Sequence, residues 1–211
     1  LTFDDGPSPG ITKEISQVLL KNNVKGTFFV VGSNVRLFPK VIKELKNNGM
    51  SIMPHTDIHE YKNIYSSKDE YFKDLNNCIE TIESVIGNGK LMFVRMPGGS
   101  DNNIADRKIL DSIRETLKEE GIYNIDWSVD SGDSEGYNCT VELINSHIRE
   151  YGGLYKVEVV LMHDLGNKQT TVDSLQNVID FYKRKGYEFK TLDNIDEWEI
   201  EYLEKIHVLN K

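Results

Sequence analysis

The sequence is short of cysteine, of long apolar runs and of positive charge, and each shortage removes a class of protein. Two cysteines in 211 residues, Cys78 and Cys139, do not make a disulfide framework. No apolar stretch approaches the roughly 20 residues needed to span a bilayer. Asp and Glu number 34 against 25 Lys and Arg, a formal net charge of -9. Neither nucleic acid nor an anionic membrane surface suits such a chain as its main partner. Low-complexity tracts, linkers and close repeats are missing as well. What remains, with 38% hydrophobic and 28% charged residues, is a globular domain with enough chain to bury a core. The first residue, Leu1, already sits in a strand-like run, and the expectation is an upstream signal peptide or anchor out of view.

What is present is an alternation. Runs rich in β-branched and aromatic residues occur at 26–32 (GTFFVVG), 50–55 (MSIMPH), 91–97 (LMFVRMP), 123–129 (YNIDWSV), 157–163 (VEVVLMH) and 187–192 (YEFKTL). Between them lie helical faces. One is marked by Ile11, Ile15, Val18 and Leu19, a second by Tyr71, Leu75, Cys78, Ile79, Ile82 and Ile86. Ile109, Ile113 and Leu117 form a third, and Leu175, Val178, Ile179 and Tyr182 a fourth. Cys78 on its helical face reads as a small buried hydrophobe. Glycine follows the last turn in KNNGM (46–50), KEEGI (118–122) and KRKGY (183–187), a helix-stop signal. Counting the opening LTF as the end of a first strand, the chain makes about seven βα units. That is an α/β protein with a parallel sheet covered on both faces. A closed or nearly closed barrel is the leading architecture and an open doubly wound sheet the alternative. The closing DEWEIEYLEKIHVL reads as one extra amphipathic helix. Asn138-Cys139-Thr140 matches a glycosylation acceptor, but Thr140 with Glu142 reads equally well as a helix start.

The reactive side chains fall at the carboxyl ends of these runs. Asp4 and Asp5 follow the first strand, and His55 and His59 (PHTDIH) follow the third. Arg95 (VRMPGGS) closes the fourth, Asp130 and Asp133 (WSVDSGD) the fifth, His163 and Asp164 (VVLMHD) the sixth. In a βα barrel such ends converge on one face, where the fold places its chemistry. A histidine pair four apart can aim two imidazoles at one point. A carboxylate from the first strand end completes a two-His, one-carboxylate set with coordination positions left open. Zinc suits this set best, and other divalent ions fit the same ligands. One of the paired aspartates then binds the metal while its neighbour stays free as a base toward acidified water. Arg95 either pairs with that base or caps the barrel rim. His163 reads as a third ligand, a buried structural residue or a general acid toward a leaving amine. Asp133 or Asp130 would fix its ring, in competition with a plain turn at DSGDSEG.

TFDDGP, HTDIH, RMPGG, the DSGD segment and LMH resemble, in order, the five motifs of the polysaccharide deacetylases, the NodB-homology or carbohydrate esterase family 4 domain. The resemblance implies an irregular (β/α)7 barrel as a catalytic domain over residues 1–192, with 193–211 as a C-terminal helical extension. It implies Asp4 as catalytic base, Asp5, His55 and His59 as metal ligands, Arg95 tuning the base, and His163 as general acid, with Asp133 or Asp130 still open as the support of its ring. The implied metal is zinc, or else cobalt or another divalent ion. The implied reaction is hydrolysis of an N-acetyl group on a sugar by metal-activated water. Gly98 is expected to help hold the oxyanion through its N–H, and Trp127 and Leu161 to face the substrate. Gly98 and Ser134 depart from the family pattern, which carries an aromatic residue and a tryptophan there, so a more open acetyl pocket is expected. The wording PGGS and DWSVDSGD is more like bacterial peptidoglycan N-acetylglucosamine deacetylases than fungal chitin deacetylases. A monomer acting on a glycan polymer, outside the membrane or in the cell wall, is therefore expected. The alternatives are a deacetylase of chitin oligomers, poly-N-acetylglucosamine or acetylxylan, and, from another class, a glycan-binding module with weak turnover.

Overall fold

Seven short parallel strands organise the computed structural model, which describes residues 1–89, 91–136 and 139–211. They are β1 (Thr2–Asp4), β2 (Thr27–Val31), β3 (Ser51–Thr56), β4 (Phe93–Val94), β5 (Tyr123–Asn124), β6 (Val129–Asp130) and β7 (Val160–His163). Five pair in the order β3-β2-β1-β7-β6, and β4 pairs with β5. Placed in sequence around a ring, this is an irregular (β/α)7 barrel, hydrogen-bonded except between β3 and β4 and between β5 and β6. The helices between strands are α1 (Ile11–Lys21), α2 (Gly32–Leu37), α3 (Pro39–Asn47), α4 (Tyr61–Ile64), α5 (Lys68–Ile86), α6 (Arg107–Glu119), α7 (Val141–Tyr151) and α8 (Gln169–Arg184). After β7 and α8 comes α9 (Glu197–Lys205).

The period of two along each strand sorts the side chains. Phe3, Phe28, Val30, Ile52, Val160 and Met162 point outward into a core shared with α1, α3, α5, α7 and α8. Leu19, Cys78, Ile82, Leu175, Val178, Ile179 and Tyr182 supply the helical side of that core, as their spacing predicts. A second outer cluster packs Tyr71, Leu75, Ile113 and Leu117 against Val94 and Met96. Both cysteines are free thiols, and Cys78 is buried. The three expected glycine stops hold, each closed by an N–H returning five residues: Met50 to Leu45, Ile122 to Leu117 and Tyr187 to Tyr182. Thr140 caps α7 by accepting from the Leu143 N–H at 3.1 Å. The glycosylation reading rests on Asn138, which lies outside the described residues.

Two strand expectations are corrected. The run 123–129 is not one strand but two, β5 and β6, separated by Ile125–Ser128. The run 187–192 is not a strand at all. Both edges of β1 are taken, by β2 and β7, and β7 is itself paired with β6, so no sheet edge remains there for another strand. Tyr187 and Phe189 instead pack on Tyr182 with ring centroids 5.2 and 6.4 Å away.

The C-terminal segment has a definite place. Leu203, Val208 and Leu209 are buried with Phe29, Met53, Phe93 and Ile125, filling the barrel interior below the site. Leu209 bridges Ile125 in antiparallel sense, the Asp126 N–H donates to the Val208 carbonyl, and the Asn210 N–H to that of Asn124. The tail thus covers the edge of β5 that β6 leaves unpaired. Leu203→Ala is expected to lower unfolding stability by about 3 kcal/mol in urea titration. A loss below about 1 kcal/mol would mean that the tail is not part of the core.

Candidate active site

The carboxyl ends of the strands do converge. Asp4 and His163 face each other in register across β1 and β7, and the Asp164 N–H donates to the Asp4 carbonyl at 3.1 Å. Arg95, just past β4, reaches beneath them without solvent exposure. Its Nη1 donates to Asp4 Oδ1 at 2.8 Å and to Thr2 Oγ1 at 2.7 Å. Its Nε donates to the Ile125 carbonyl at 3.1 Å and its Nη2 to that of Asp126 at 3.0 Å. Phe29 and Trp127 present ring faces to the guanidinium, 4.4 and 5.9 Å from their centroids. The buried cation is therefore both paired and hydrogen-bonded, the condition for tolerating it.

Asp5 turns the other way. It sits at φ 78°, a left-handed conformation rarely held by an ordinary residue, and His59 is likewise at φ 52°. Asp5 Oδ1 lies 3.4 Å from His55 Nε2 and 3.2 Å from His59 Nε2. His55 stands at an irregularity in the β2–β3 register, where Val30 opposes Pro54 and Val31 opposes Thr56. Its Nδ1 lies 2.6 Å from the Arg95 carbonyl oxygen. A carbonyl only accepts, so Nδ1 carries a proton, and the ring turns its Nε2 toward the Asp5 carboxylate. The three donor atoms lie within 4.8 Å of one another, and the set can hold a divalent ion. Burial pushes the Asp5 carboxyl up, but hydrogen bonds and charge from His55 and His59 outweigh it and hold it well below the usual carboxylate range. For His59, burial is likewise outweighed by Asp5, and its proton affinity rises.

His163 belongs to a different circuit. Its Nδ1 lies 2.7 Å from Asp133 Oδ1 and 2.8 Å from Ser134 Oγ. Its backbone N–H donates to Asp133 Oδ2 at 2.7 Å, which also accepts from Thr171 Oγ1 at 2.7 Å. Burial alone would lower the imidazole; the bond to Asp133, its charge, and those of Asp4 and Asp5 push it up to about 9. Between the two aspartates that the sequence left open, it is Asp133 that meets the ring. Asp130 turns back to accept from the Gly132 N–H at 2.8 Å, as a turn residue does.

The other expected positions line the same mouth. The Gly99 N–H closes a turn onto the Met96 carbonyl, whereas the Gly98 N–H has no internal partner among the described residues. Trp127 packs on Gly99, where a Cβ would come within 3.2 Å of its ring. Leu161 lies one pleat below His163, buried and in register with Thr2.

Two further residues, given no role from the sequence, complete the surroundings of the site. Asp164 is fully buried, accepting from the Gly6 N–H at 2.8 Å and Thr12 Oγ1 at 2.6 Å, while its carbonyl accepts from Ser8 Oγ at 2.8 Å. A Cβ on Gly6 would lie 2.1 Å from the Asp164 carboxylate, so glycine is required there. Burial, with Asp5 and Asp4 close by, pushes Asp164 up to about 7. Lys168 Nζ donates to the Asp133 carbonyl and to Ser134 Oγ, both at 2.9 Å. Only adjacency to His163 hinted at Asp164, and nothing hinted at Lys168.

The description polysaccharide deacetylase belongs to a family model that matches residues 1–121, more than half of the chain. The chain belongs to the polysaccharide deacetylase family. It is 31% identical over 198 residues to a peptidoglycan-N-acetylglucosamine deacetylase of Bacillus cereus, an alignment covering 92% of this chain and 66% of that protein. Another Bacillus cereus protein of the same description is 30% identical over 205 residues, with 92% and 86% covered. The catalytic domain of peptidoglycan N-acetylglucosamine deacetylase from Eubacterium rectale has the same fold, with a TM-score of 0.83, 30% identity, and 90% and 86% coverage. The chain thus spans 66% of the length of the first of these relatives.

The donor set makes a direct test. His55→Ala and Asp5→Ala are each expected to weaken zinc binding by about 100-fold or more in equilibrium dialysis, with Asp4→Asn retaining it. Undiminished zinc in the His55 variant would remove that residue from the ligand set.

Proposed function

We propose that this deacetylase removes the N-acetyl group from N-acetylglucosamine residues of bacterial peptidoglycan, using zinc held by Asp5, His55 and His59. The observation that carries the reading is the juxtaposition of three groups at one barrel mouth: the Asp5–His55–His59 donors, the Asp4 carboxylate on Arg95, and the His163 imidazole on Asp133. The descriptions of the Bacillus cereus and Eubacterium rectale relatives supply the substrate class. A divalent ion in the donor set supplies Lewis acidity toward a carbonyl and acidifies water. Arg95 occupies Asp4 Oδ1, which leaves Oδ2 to accept the proton of the attacking water. Asp133 pins the Nδ1 proton of His163, so the exchangeable proton sits on Nε2 and passes to the departing nitrogen. The free N–H of Gly98 offers a donor to the oxygen on which charge develops. Trp127 and Leu161 contribute walls. Products are a free amino sugar and acetate. Residues 1–192 act as the catalytic domain and 193–211 as its extension, in a monomer working outside the membrane on the cell wall.

Acetate release from peptidoglycan, chito-oligosaccharides and acetylxylan measured side by side tests the substrate. The highest kcat/KM is expected on peptidoglycan, and a clear preference for either other polymer would overturn that choice. Asp4→Asn is expected to cut kcat roughly 10²- to 10⁴-fold with zinc retained. Full activity in that variant would refute the base assignment.

The pH dependence follows from His163. Its folded value of about 9 lies above the ordinary 6.5, so its contribution to stability is full below about 6.5 and is lost as pH rises through about 9. As a general acid it must be protonated, so kcat/KM is expected to fall on the alkaline side through the same range. Asp133→Asn removes the charge that raises it and is expected to bring that limb down by about one pH unit or more. An unmoved alkaline limb would separate His163 from the proton transfer.

A further inference from the structure

Gly98, the bearer of the free N–H, opens onto Tyr61. A Cβ built on Gly98 would lie 3.3 Å from Tyr61 Cε1 and 3.5 Å from its hydroxyl oxygen, so the phenol ring occupies the space a side chain at 98 would need. Tyr61 is the first residue of α4, two positions after His59. Its ring meets the His59 imidazole edge-on, with centroids 5.2 Å apart at 78°. Behind it, Tyr65 stands 6.2 Å away and donates its hydroxyl to the Pro97 carbonyl at 2.7 Å, which fixes the loop that presents Gly98. Tyr65 is thus bonded, while the Tyr61 hydroxyl has no protein partner among the described residues. Tyr61 is half-buried, with one side left open.

The arrangement is a flat apolar surface, with a hydroxyl at its tip, spanning from a metal-ligating imidazole to an oxyanion donor. A pyranose has the complementary character: one apolar C–H face and a rim of hydroxyls and amide. We propose that Tyr61 is a specificity-determining residue that contacts the substrate, its ring forming the wall on which the N-acetylated sugar lies and its hydroxyl bonding a polar group of that sugar. The inference rests on the deacetylase reading above and adds to it a residue from outside the five motifs.

The test is steady-state acetate release from N-acetylglucosamine oligomers by zinc-loaded wild-type, Tyr61→Phe and Tyr61→Ala proteins, with zinc content and thermal midpoint measured on each. KM is expected to rise about tenfold in Tyr61→Ala and about threefold in Tyr61→Phe, with kcat within about twofold and zinc content unchanged. The Phe variant keeps the ring and its packing, so it isolates the hydroxyl if the Ala variant folds poorly. An unchanged KM in both variants of an active enzyme would overturn the proposal while leaving the deacetylase reading intact. So would a fall in kcat that tracks loss of zinc at constant KM, which would make Tyr61 a prop for His59 alone. A wild-type protein that releases no acetate from any N-acetylated glycan would instead bring down the deacetylase reading, and this wall with it.

Discussion

The buried guanidinium of Arg95 is the interaction on which the rest of the site depends. Moving such a cation out of water costs several kcal/mol, which only close pairing and complete hydrogen bonding can offset. Arg95 achieves this by drawing on two other strands: Thr2 and Asp4 of β1 through Nη1, and the carbonyls of Ile125 and Asp126 past β5 through Nε and Nη2. Its own carbonyl then holds His55 on β3. These bonds cross the barrel where β3 and β4 share no ladder. A single residue therefore ties the Asp4 carboxylate, the His55 imidazole and the closure of the fold together. Removing it would leave Asp4 buried and unpaired, a loss of about 3–5 kcal/mol, so its effects on turnover and on folding are not separable.

The adjacent carboxylates Asp4 and Asp5 avoid each other's charge by facing opposite ways. Asp4 ends β1 and points into the barrel at Arg95, whereas the positive φ of Asp5 swings the next side chain toward His55 and His59. That turn is held from behind. Asp164 takes the Gly6 N–H, Asn34 Nδ2 donates to the Asp5 carbonyl at 2.9 Å, and the absence of a side chain at Gly6 lets Asp164 approach. The strain of a left-handed aspartate is stored where it aims a ligand, a common use of unfavourable backbone.

The helical faces were legible because each is one stripe against one core: Leu175, Val178, Ile179 and Tyr182 are all buried as their spacing predicts. The convergence of Asp4, Asp5, His55, His59 and His163 was legible because an ionisable group at the end of an apolar strand is costly to bury unless a partner there offsets the cost. Strand boundaries were less so. Ile125 and Trp127 continue an apolar pattern, yet the chain bends there to let Arg95 reach the Ile125 and Asp126 carbonyls, and two short strands result. YEFKTL has strand composition, but β1 and β7 are already paired on both sides, a tertiary fact no local pattern encodes. Tyr61 and Lys168 were invisible for a different reason. Their meaning lies in what stands opposite them, Gly98 in one case and Ser134 in the other.

Two histidines at one mouth are given opposite work by what holds their Nδ1 atoms. Both rings have that nitrogen fixed by an acceptor, so both present Nε2 to the centre. For His55 the acceptor is the neutral carbonyl of Arg95, which adds no full negative charge. For His163 the acceptor is the carboxylate of Asp133, itself satisfied by Thr171 and the His163 N–H, and this stabilises the imidazolium. Lys168 Nζ bonds the Asp133 carbonyl and Ser134 Oγ along the same turn. On the proposed reading, this difference in acceptor separates a metal ligand from a proton donor. The division of labour is thus set by the second neighbour of each imidazole rather than by the imidazoles themselves.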